Sequence, residues 1–306
     1  MTDTPASRWV PILLTLALLW GGAFAFVKMG LVSFTPVGIG VGRMILGALT
    51  MLVLSAVTRT RFPPRALWWR LAVTAFLAAA VPWIVLAFAQ THISSSFAAI
   101  LGSLIPLMTL LVILVFYREE RPTRTRIAGL MLGLVGVLIV VGIWNGLGTS
   151  TIIGVIACFV ANISFAASLP YMRRHLAGGA NASTLPPIAL ATALLVFAAI
   201  EAAPALAFSE VTHAPVVASA LVGLLAVGCL TSGVGYALNF YLVRITDATT
   251  ASTVTYAVPV IAVLIGTIFL GEDLSWNQPA GGLVILLGAA LAQGLIRPRS
   301  PKPAVA

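Results

Sequence analysis

Two stretches of the chain decide the fold: residues 103–129, SLIPLMTLLVILVFYREERPTRTRIAG, and residues 256–282, YAVPVIAVLIGTIFLGEDLSWNQPAGG. Each stretch reads as an apolar helix with an internal proline, then an acidic turn, then a glycine-rich helix. The copies match at a constant offset of 153 residues, which relates Pro106 to Pro259, Phe116 to Phe269, Glu119 to Glu272, Gly129 to Gly282 and Ala98 to Ala251. A fixed offset of this kind indicates an internal repeat.

The composition identifies lipid as the solvent for most of the chain. Hydrophobic residues make up 60% of the sequence and charged residues 8%, whereas soluble domains carry roughly 25% charged residues. Apolar segments long enough for a bilayer core lie at residues 9–28, 36–57, 69–90, 94–117, 126–144, 150–171, 184–203, 215–240, 246–270 and 277–296. Barrel-type alternation is absent, so we predict an all-α membrane protein with ten transmembrane helices.

The placement of lysine and arginine predicts the orientation. With a cytoplasmic N-terminus, 15 of the 17 basic residues lie on the cytoplasmic side, and only Lys28 and Arg43 fall on the other. Both termini are therefore predicted to be cytoplasmic. Five segments separate the two repeat copies, an odd number, so the halves are predicted to be inverted five-helix repeats, residues 1–144 and 145–306. Inverted repeats favour alternating access around a site at the membrane midplane.

Other functional classes fit the sequence poorly. The net charge of +9 comes from short basic clusters between apolar segments, so no nucleic-acid partner is predicted. The three histidines and eight carboxylates lie near segment ends or in loops, which leaves no catalytic constellation. Cys158 and Cys229 lack metal-ligand spacing. We therefore predict no enzymatic activity, metal site or cofactor, and transport that does not depend on a proton-binding carboxylate inside the bilayer.

The residues themselves resemble a known family. LLWGGAFAFVK at residues 18–28 and VGRMILGAL at residues 41–49 resemble the first two helices of the EamA type of the drug/metabolite transporter superfamily. The proline helix, Glu119 and the glycine-rich helix resemble the end of that family's half-repeat, and Pro259 to Gly282 resembles it again. The likeness covers nearly the whole chain. Within the superfamily, the chain resembles the YddG-type exporters. This resemblance implies a carrier of the bacterial inner membrane that exports aromatic and other neutral amino acids.

The resemblance also implies that helices 1, 3, 4, 6, 8 and 9 line a central cavity, with helices 5 and 10 peripheral. The candidate substrate contacts are side chains that share one helical face within these segments, together with Trp83, which follows Pro82 near the middle of helix 3 and is predicted to face protein or a cavity. They are Trp20, Phe24, Trp83, Asn162, Phe165, Ser232, Tyr236, Asn239 and Tyr256. Polar stripes such as Ser232, Tyr236 and Asn239, or Thr249, Thr253 and Tyr256, are costly in lipid and should face inward.

Each candidate has an alternative, structural interpretation. The aromatic residues could serve helix packing, and the polar residues interhelical hydrogen bonding. Pro106 and Pro259 are candidate hinges or static kinks. We expect Lys28 and Arg43 to extend toward the lipid headgroups, although they could attract a substrate carboxylate. Glu119 and Glu272 are expected to cap or pair near helix ends.

The cargo and the assembly stay open at this point. Alternative cargoes are a drug cation, a nucleoside or a sugar, and an organic cation would favour an acidic residue in the pocket. A membrane scaffold without transport is the remaining alternative. The predicted partners are a small-molecule substrate and the lipid bilayer, with the protein as a monomer or a weak homodimer.

Overall fold

The computed structural model describes residues 6–116, 123–142, 144, 149–176, 185–245 and 254–292. The regular secondary structure of these residues is helical, without a strand. An isolated antiparallel bridge joins Phe34 to Thr212. The α-helices are α1 (Ala6–Gly30), α2 (Pro36–Val57), α3 (Trp68–Ala75), α4 (Val81–Ala89), α5 (Ser95–Gly102), α6 (Ile105–Phe116), α7 (Arg124–Val141), α8 (Thr149–His175), α9 (Pro187–Ala202), α10 (Ala218–Leu225), α11 (Gly235–Ile245), α12 (Val254–Leu270) and α13 (Asn277–Ala292).

Seven helical stretches of the described residues are long and apolar enough to cross a membrane. They are Trp9–Gly30, Pro36–Val57, Arg65–Ala89, Arg124–Val141, Thr151–Met172, Pro187–Ala207 and Ala218–Asn239. The pair α5 and α6 would form an eighth span, bent by 40°, and the apolar helices Tyr256–Leu270 and Asn277–Ala292 are shorter. The architecture is therefore an all-α membrane fold with multiple spans.

Several helix starts follow directly from the sequence. The Thr35 side chain accepts a hydrogen bond from the Gly38 N–H at 3.0 Å, and Pro36 occupies the first turn of α2. Ser94 caps α5 in the same way through the Phe97 N–H, at 3.1 Å. A short hydroxyl side chain at the N-cap satisfies an N–H that has no partner within the helix. Local chemistry thus fixes where these helices begin.

Two spans contain a stretch of π-helix, and the two stretches lie at equivalent places in the repeat. The first, Phe76–Ala80, joins α3 to α4, and the second, Ala226–Val234, joins α10 to α11. An offset of 153 residues carries the first stretch onto residues 229–233, inside the second. The Ser232 hydroxyl donates to the Val227 carbonyl, five residues earlier, at 2.8 Å. Such segments are rare and occur frequently at functional sites.

The predicted segment 94–117 is divided into two helices. α5 ends at Gly102 and α6 begins at Ile105, with the bend of 40° between them. Pro106 lies at the second position of α6, and without an N–H it cannot form the bond to the Gly102 carbonyl that would continue α5 into α6. The Asn162 side chain, from α8, donates to the Leu101 carbonyl at 3.0 Å. The bend is thus held by a side chain from the other half of the molecule.

The last helix of each half pairs with its counterpart. Glycines of α7 and α13 bring the two backbones together: a Cβ on Gly136 would lie 2.9 Å from the Gly281 carbonyl oxygen. Small residues at a helix crossing allow this approach in membranes. The Asn277 amide donates to the carbonyls of Ile139 and Val140, at 3.1 and 2.9 Å, which caps the end of α7.

Candidate functional site

Arg43 is buried inside the helical bundle. It lies in α2, is 8% exposed, and its Nε donates to the Ser232 hydroxyl at 2.7 Å. Its guanidinium carbon stands 3.9 Å from the centroid of the Trp83 ring, well within the range of a cation–π interaction. α2 belongs to the first half of the chain and Ser232 to the second, so the arginine joins the two halves.

Three aromatic side chains form a connected group beside this cation. Trp83 meets Tyr236 edge-on with ring centroids 5.9 Å apart, and Tyr236 meets Trp20 at the same separation. We call Trp20, Trp83 and Tyr236 the aromatic cluster. Trp83 and Tyr236 are themselves separated by the repeat offset of 153 residues. The contact between them is therefore a contact between equivalent positions of the two halves.

Gly235 permits the close approach of α1 to this cluster. A Cβ built on Gly235 would lie 2.9 Å from Trp20 Nε1, a distance at which Trp20 would have to shift. The absence of a side chain at residue 235 therefore allows the indole of Trp20 to lie beside Tyr236.

Arg43 has no counter-ion in the part of the chain that the structure describes. Its described partners are the neutral Ser232 hydroxyl, the face of the Trp83 ring and the phenol of Tyr236. Burying an unpaired charge costs several kcal/mol even after relaxation, and the guanidinium offers five N–H donors in a fork that matches a carboxylate. The arrangement is chemically suited to an anionic group that arrives with a ligand.

The sequence-based expectation for Arg43 is wrong. Arg43 does not extend to the headgroups, because the helices of both halves enclose it. For Lys28 the expectation stays a prediction: its Nζ donates to the carbonyls of Gln90 and Ile93, at 2.8 and 3.3 Å. These carbonyls follow the last turn of α4, where a positive charge is favourable.

The other predicted contacts fall into two groups. Phe165 packs against the same apolar core as Trp83 and Tyr236. Phe24 and Tyr256 instead pack against the core around α5 and α6. Asn162 lies there too, but its amide nitrogen is engaged by the Leu101 carbonyl. The structure thus separates an arginine-and-aromatic group from a group at the bend.

The remaining predicted residues have varied placements. Asn239 is half-buried in α11, three positions beyond Tyr236. Thr249, Thr253 and Glu119 lie outside the described residues. Pro259 lies inside the continuous helix α12, whereas Pro106 lies at the bend. Both prolines stay predictions as hinges.

Glu272 caps the N-terminus of α5, as predicted from its position at a helix end. Its carboxylate accepts from the N–H groups of Ser95 and Ser96, at 2.7 and 2.9 Å, and from the Ser96 hydroxyl at 2.6 Å. Burial alone would raise the pKa of Glu272, but these hydrogen bonds lower it below its ordinary value. The bonds tie the loop after α12 to the start of α5.

Arg43 is the functional candidate that the sequence analysis set aside. The available signal was a single cation seven residues inside an apolar helix that begins at Pro36. Its repeat equivalents in α9, at offsets of 151 to 153, are Leu194, Leu195 and Val196. The charge is therefore present in one copy of the repeat and absent from the other.

Comparisons with known proteins agree with the helical architecture. Residues 7–142 and 152–293 each match the model of the EamA-like transporter family. The transporter YdfC of Bacillus subtilis is 24% identical over 88% of this chain and 86% of its own length. The inner membrane transporter YedA of Escherichia coli K12 is 27% identical over 86% and 83%.

Two further similarities extend over most of the chain. A probable terminal-alkyne amino-acid exporter of Streptantibioticus cattleyicolor is 24% identical over 93% of both chains. A solved crystal structure superposes with a TM-score of 0.65, covering 93% of this chain and 98% of its own, at 18% identity. That likeness supports the fold alone.

Proposed function

Because the chain belongs to the EamA-like transporter family, a family of membrane transporters and not of enzymes, we propose that it exports amino acids, aromatic and other neutral ones, from the cytoplasm. The protein is a multi-pass transporter of the bacterial inner membrane. The substrate class and the direction of transport are the proposed part.

One observation carries the proposal: a buried arginine that lies beside the aromatic cluster and has no counter-ion among the described residues. The guanidinium of Arg43 suits a carboxylate, and Trp20, Trp83 and Tyr236 offer flat apolar surfaces to a large side chain. Most small-molecule sites combine an apolar lining with a few polar groups that fix orientation. An amino acid with an aromatic or aliphatic side chain presents the matching chemistry.

The similarity to the Streptantibioticus protein, named as a probable amino-acid exporter, supports the same substrate class. The arginine also argues against an organic cation as cargo, because like charges would repel in a region of low dielectric constant. The alternative cargo is another metabolite that carries an anionic group, which the Arg43 cluster would accept equally.

The proposed mechanism is alternating access between two inverted repeats. In this arrangement ten helices cross the membrane, with residues 1–144 and 145–306 as the halves and both termini in the cytoplasm. The contact between the equivalent residues Trp83 and Tyr236 supports a pseudo-two-fold axis close to the aromatic cluster. Substrate sites of inverted-repeat transporters lie at the repeat interface near the midplane.

The test is efflux of labelled amino acids from proteoliposomes that contain the purified protein. We expect Arg43→Met to reduce efflux by at least about tenfold, because a lost charge-assisted hydrogen bond costs roughly 1.5–3 kcal/mol. The matched control is Arg61→Met, which removes an equal charge from the exposed segment after α2. Trp20→Ala and Asn239→Ala test the predicted contacts.

Two results would contradict the proposal. The first is an absence of efflux for every amino acid in a panel that covers aromatic, aliphatic and polar side chains. The second is equal efflux by wild type and Arg43→Met, which would remove the arginine from the substrate site. Efflux of carboxylates that lack an amino group, without efflux of amino acids, would instead establish the alternative cargo.

A further inference from the structure

The hydroxyl of Ser103, between α5 and α6, is buried without a partner. Ser103 is 2% exposed, and its Oγ makes no hydrogen bond in the described part of the chain. Hydroxyls within helices usually donate to the carbonyl four residues earlier. Thr50, Thr74, Thr109 and Thr231 all do so here, at 2.7–2.8 Å. Ser103, like Ser95, is a buried hydroxyl without such a bond.

The backbone beside Ser103 offers a further acceptor. In a continuous helix the Gly102 carbonyl would accept from residue 106, but Pro106 has no N–H. The neighbouring Leu101 carbonyl is already engaged by Leu104 N–H, at 3.1 Å, and by Asn162. The end of α5 also carries the partial negative charge of a helix C-terminus. Acceptors therefore collect at the bend in a region without a described carboxylate.

The bend lies at the same depth as Arg43. The ends Gly30, Pro36, Ala89 and Ser95 are joined by short loops and lie on one side of the bundle. From these ends Phe24, Arg43, Trp83 and Ser103 are six to eight residues inward, or about 9–12 Å at a rise of 1.5 Å per residue.

Phe24 connects the two places. Its ring lies 3.8 Å from the position that a Cβ on Gly102 would occupy. On α1 it is one turn from Trp20, a member of the aromatic cluster, and residues four apart share a helix face. The face of α1 that carries both aromatic residues thus extends from the Arg43 cluster to the bend.

We propose that the bend between α5 and α6 binds the protonated amine of the substrate. The inference rests on the proposed function, because it assigns the amine of the amino acid whose carboxylate pairs with Arg43. An ammonium group has three donors and needs acceptors. The Ser103 hydroxyl and the Gly102 carbonyl supply them, and the Phe24 ring supplies a cation–π face. The bound substrate then bridges α2 and the bent span.

Competition experiments with three compounds separate the two charge sites. Efflux of labelled phenylalanine is measured in the presence of one unlabelled competitor at a time. The competitors are phenylalanine, 3-phenylpropionate (which lacks the amine) and phenethylamine (which lacks the carboxylate). In the wild type we expect phenylalanine to compete at least about tenfold better than 3-phenylpropionate, because the amine adds charge-assisted hydrogen bonds. Ser103→Ala should reduce this preference severalfold while 3-phenylpropionate competes as before.

The control variants distinguish recognition from packing. Thr109→Ala removes a hydroxyl that is already bonded to the Ile105 carbonyl and should leave the preference intact. Phe24→Leu preserves an apolar contact, removes the cation–π face, and should lower the preference. Ser103→Ala deletes a polar group that has no partner. The melting temperature of this variant should therefore not fall below that of the wild type.

The outcomes for the two proposals are distinct. An unchanged preference in Ser103→Ala, or equal weakening of phenylalanine and 3-phenylpropionate, would overturn the amine site and leave the amino-acid export proposal standing. Arg43→Met should weaken competition by the two carboxylates, phenylalanine and 3-phenylpropionate. Competition by phenethylamine should not change. If the wild type does not export phenylalanine or any other amino acid, the proposed function fails first.

Discussion

The helix pair α5–α6 and the helix α12 derive from the same repeated sequence pattern, yet one is bent and the other is continuous. Both contain the proline that defines the repeat, Pro106 in one copy and Pro259 in the other, 153 residues apart. α5 and α6 meet at a bend of 40°, whereas α12 continues as an α-helix from Val254 to Leu270 around its proline. A proline therefore permits a bend here but does not impose it.

Contacts from the second half of the chain hold the bent span. At the bend, Asn162 donates to the Leu101 carbonyl. At the N-terminus of α5, Glu272 accepts three hydrogen bonds from Ser95 and Ser96. Both partners belong to the second half of the chain. The bent span of the first half is therefore stabilised by contacts from the second half.

The largest expected effect comes from Glu272→Gln, which breaks the link between the loop after α12 and the start of α5. Hydrogen bonds to a charged group contribute about 1.5–3 kcal/mol each, so we expect the free energy of unfolding in detergent to fall by roughly 2–4 kcal/mol. Asp273→Asn, on the exposed neighbour, is the control and should change stability little.

The same variant gives a pH test. The pKa of Glu272 is lowered in the folded protein, so its contribution is present above the ordinary value of about 4.3 and is lost as pH falls through the folded-state pKa. The stability difference between wild type and Glu272→Gln should be constant from about pH 7 to 5 and shrink below about pH 4. A difference that grows with acidification would refute this assignment.

The next effect is that of Asn162→Leu, which removes the side chain that holds the bend. The Leu101 carbonyl is buried and loses a donor, which costs about 1–3 kcal/mol. Ser168→Ala in the same helix removes a bond to the nearby Phe165 carbonyl and serves as the reference. If the two variants unfold at the same denaturant concentration, Asn162 does not stabilise the bend.

A smaller effect is expected from the two prolines, compared directly. Pro106→Ala restores an N–H that can donate to the Gly102 carbonyl, a net gain of about 1 kcal/mol toward a straighter span. Spin labels at the exposed positions Thr91 and Val115, with Cys158 and Cys229 replaced by alanine, report the separation of the span's ends. We expect Pro106→Ala to lengthen that separation and Pro259→Ala to leave it unchanged.

The smallest expected effect is that of a pH gradient on transport. The described carboxylates lie at helix ends or in loops, with Glu201 in the last turn of α9 and Glu272 after α12. Proton-driven carriers usually place a carboxylate in the substrate path. Imposing one pH unit across proteoliposomes should therefore change efflux by less than about twofold, after correction for substrate ionisation. A stronger dependence would reveal proton coupling.

The buried position of several candidate residues could be predicted from the sequence, because lipid restricts where aromatic and polar groups are placed. Trp83, predicted to face protein or a cavity, is buried beside Tyr236, and Glu272 caps a helix as expected. The prediction for Arg43 was wrong because a position seven residues inside the segment is equally compatible with extension toward the headgroups. Only the packing of α2 against Ala226–Val234, with Ser232 as the acceptor, distinguishes a buried arginine from an exposed one.

The sequence by itself determined the helical membrane fold, the two-copy organisation and the starts of helices such as α2 and α5. These properties follow from composition, from a constant offset and from caps that act within a few residues. The tertiary structure alone decided which copy of the repeated proline helix bends, and that Arg43 lies unpaired beside the aromatic cluster. Both depend on partners more than 50 residues away along the chain, because the free energy that selects between nearly equal backbone conformations comes from long-range contacts.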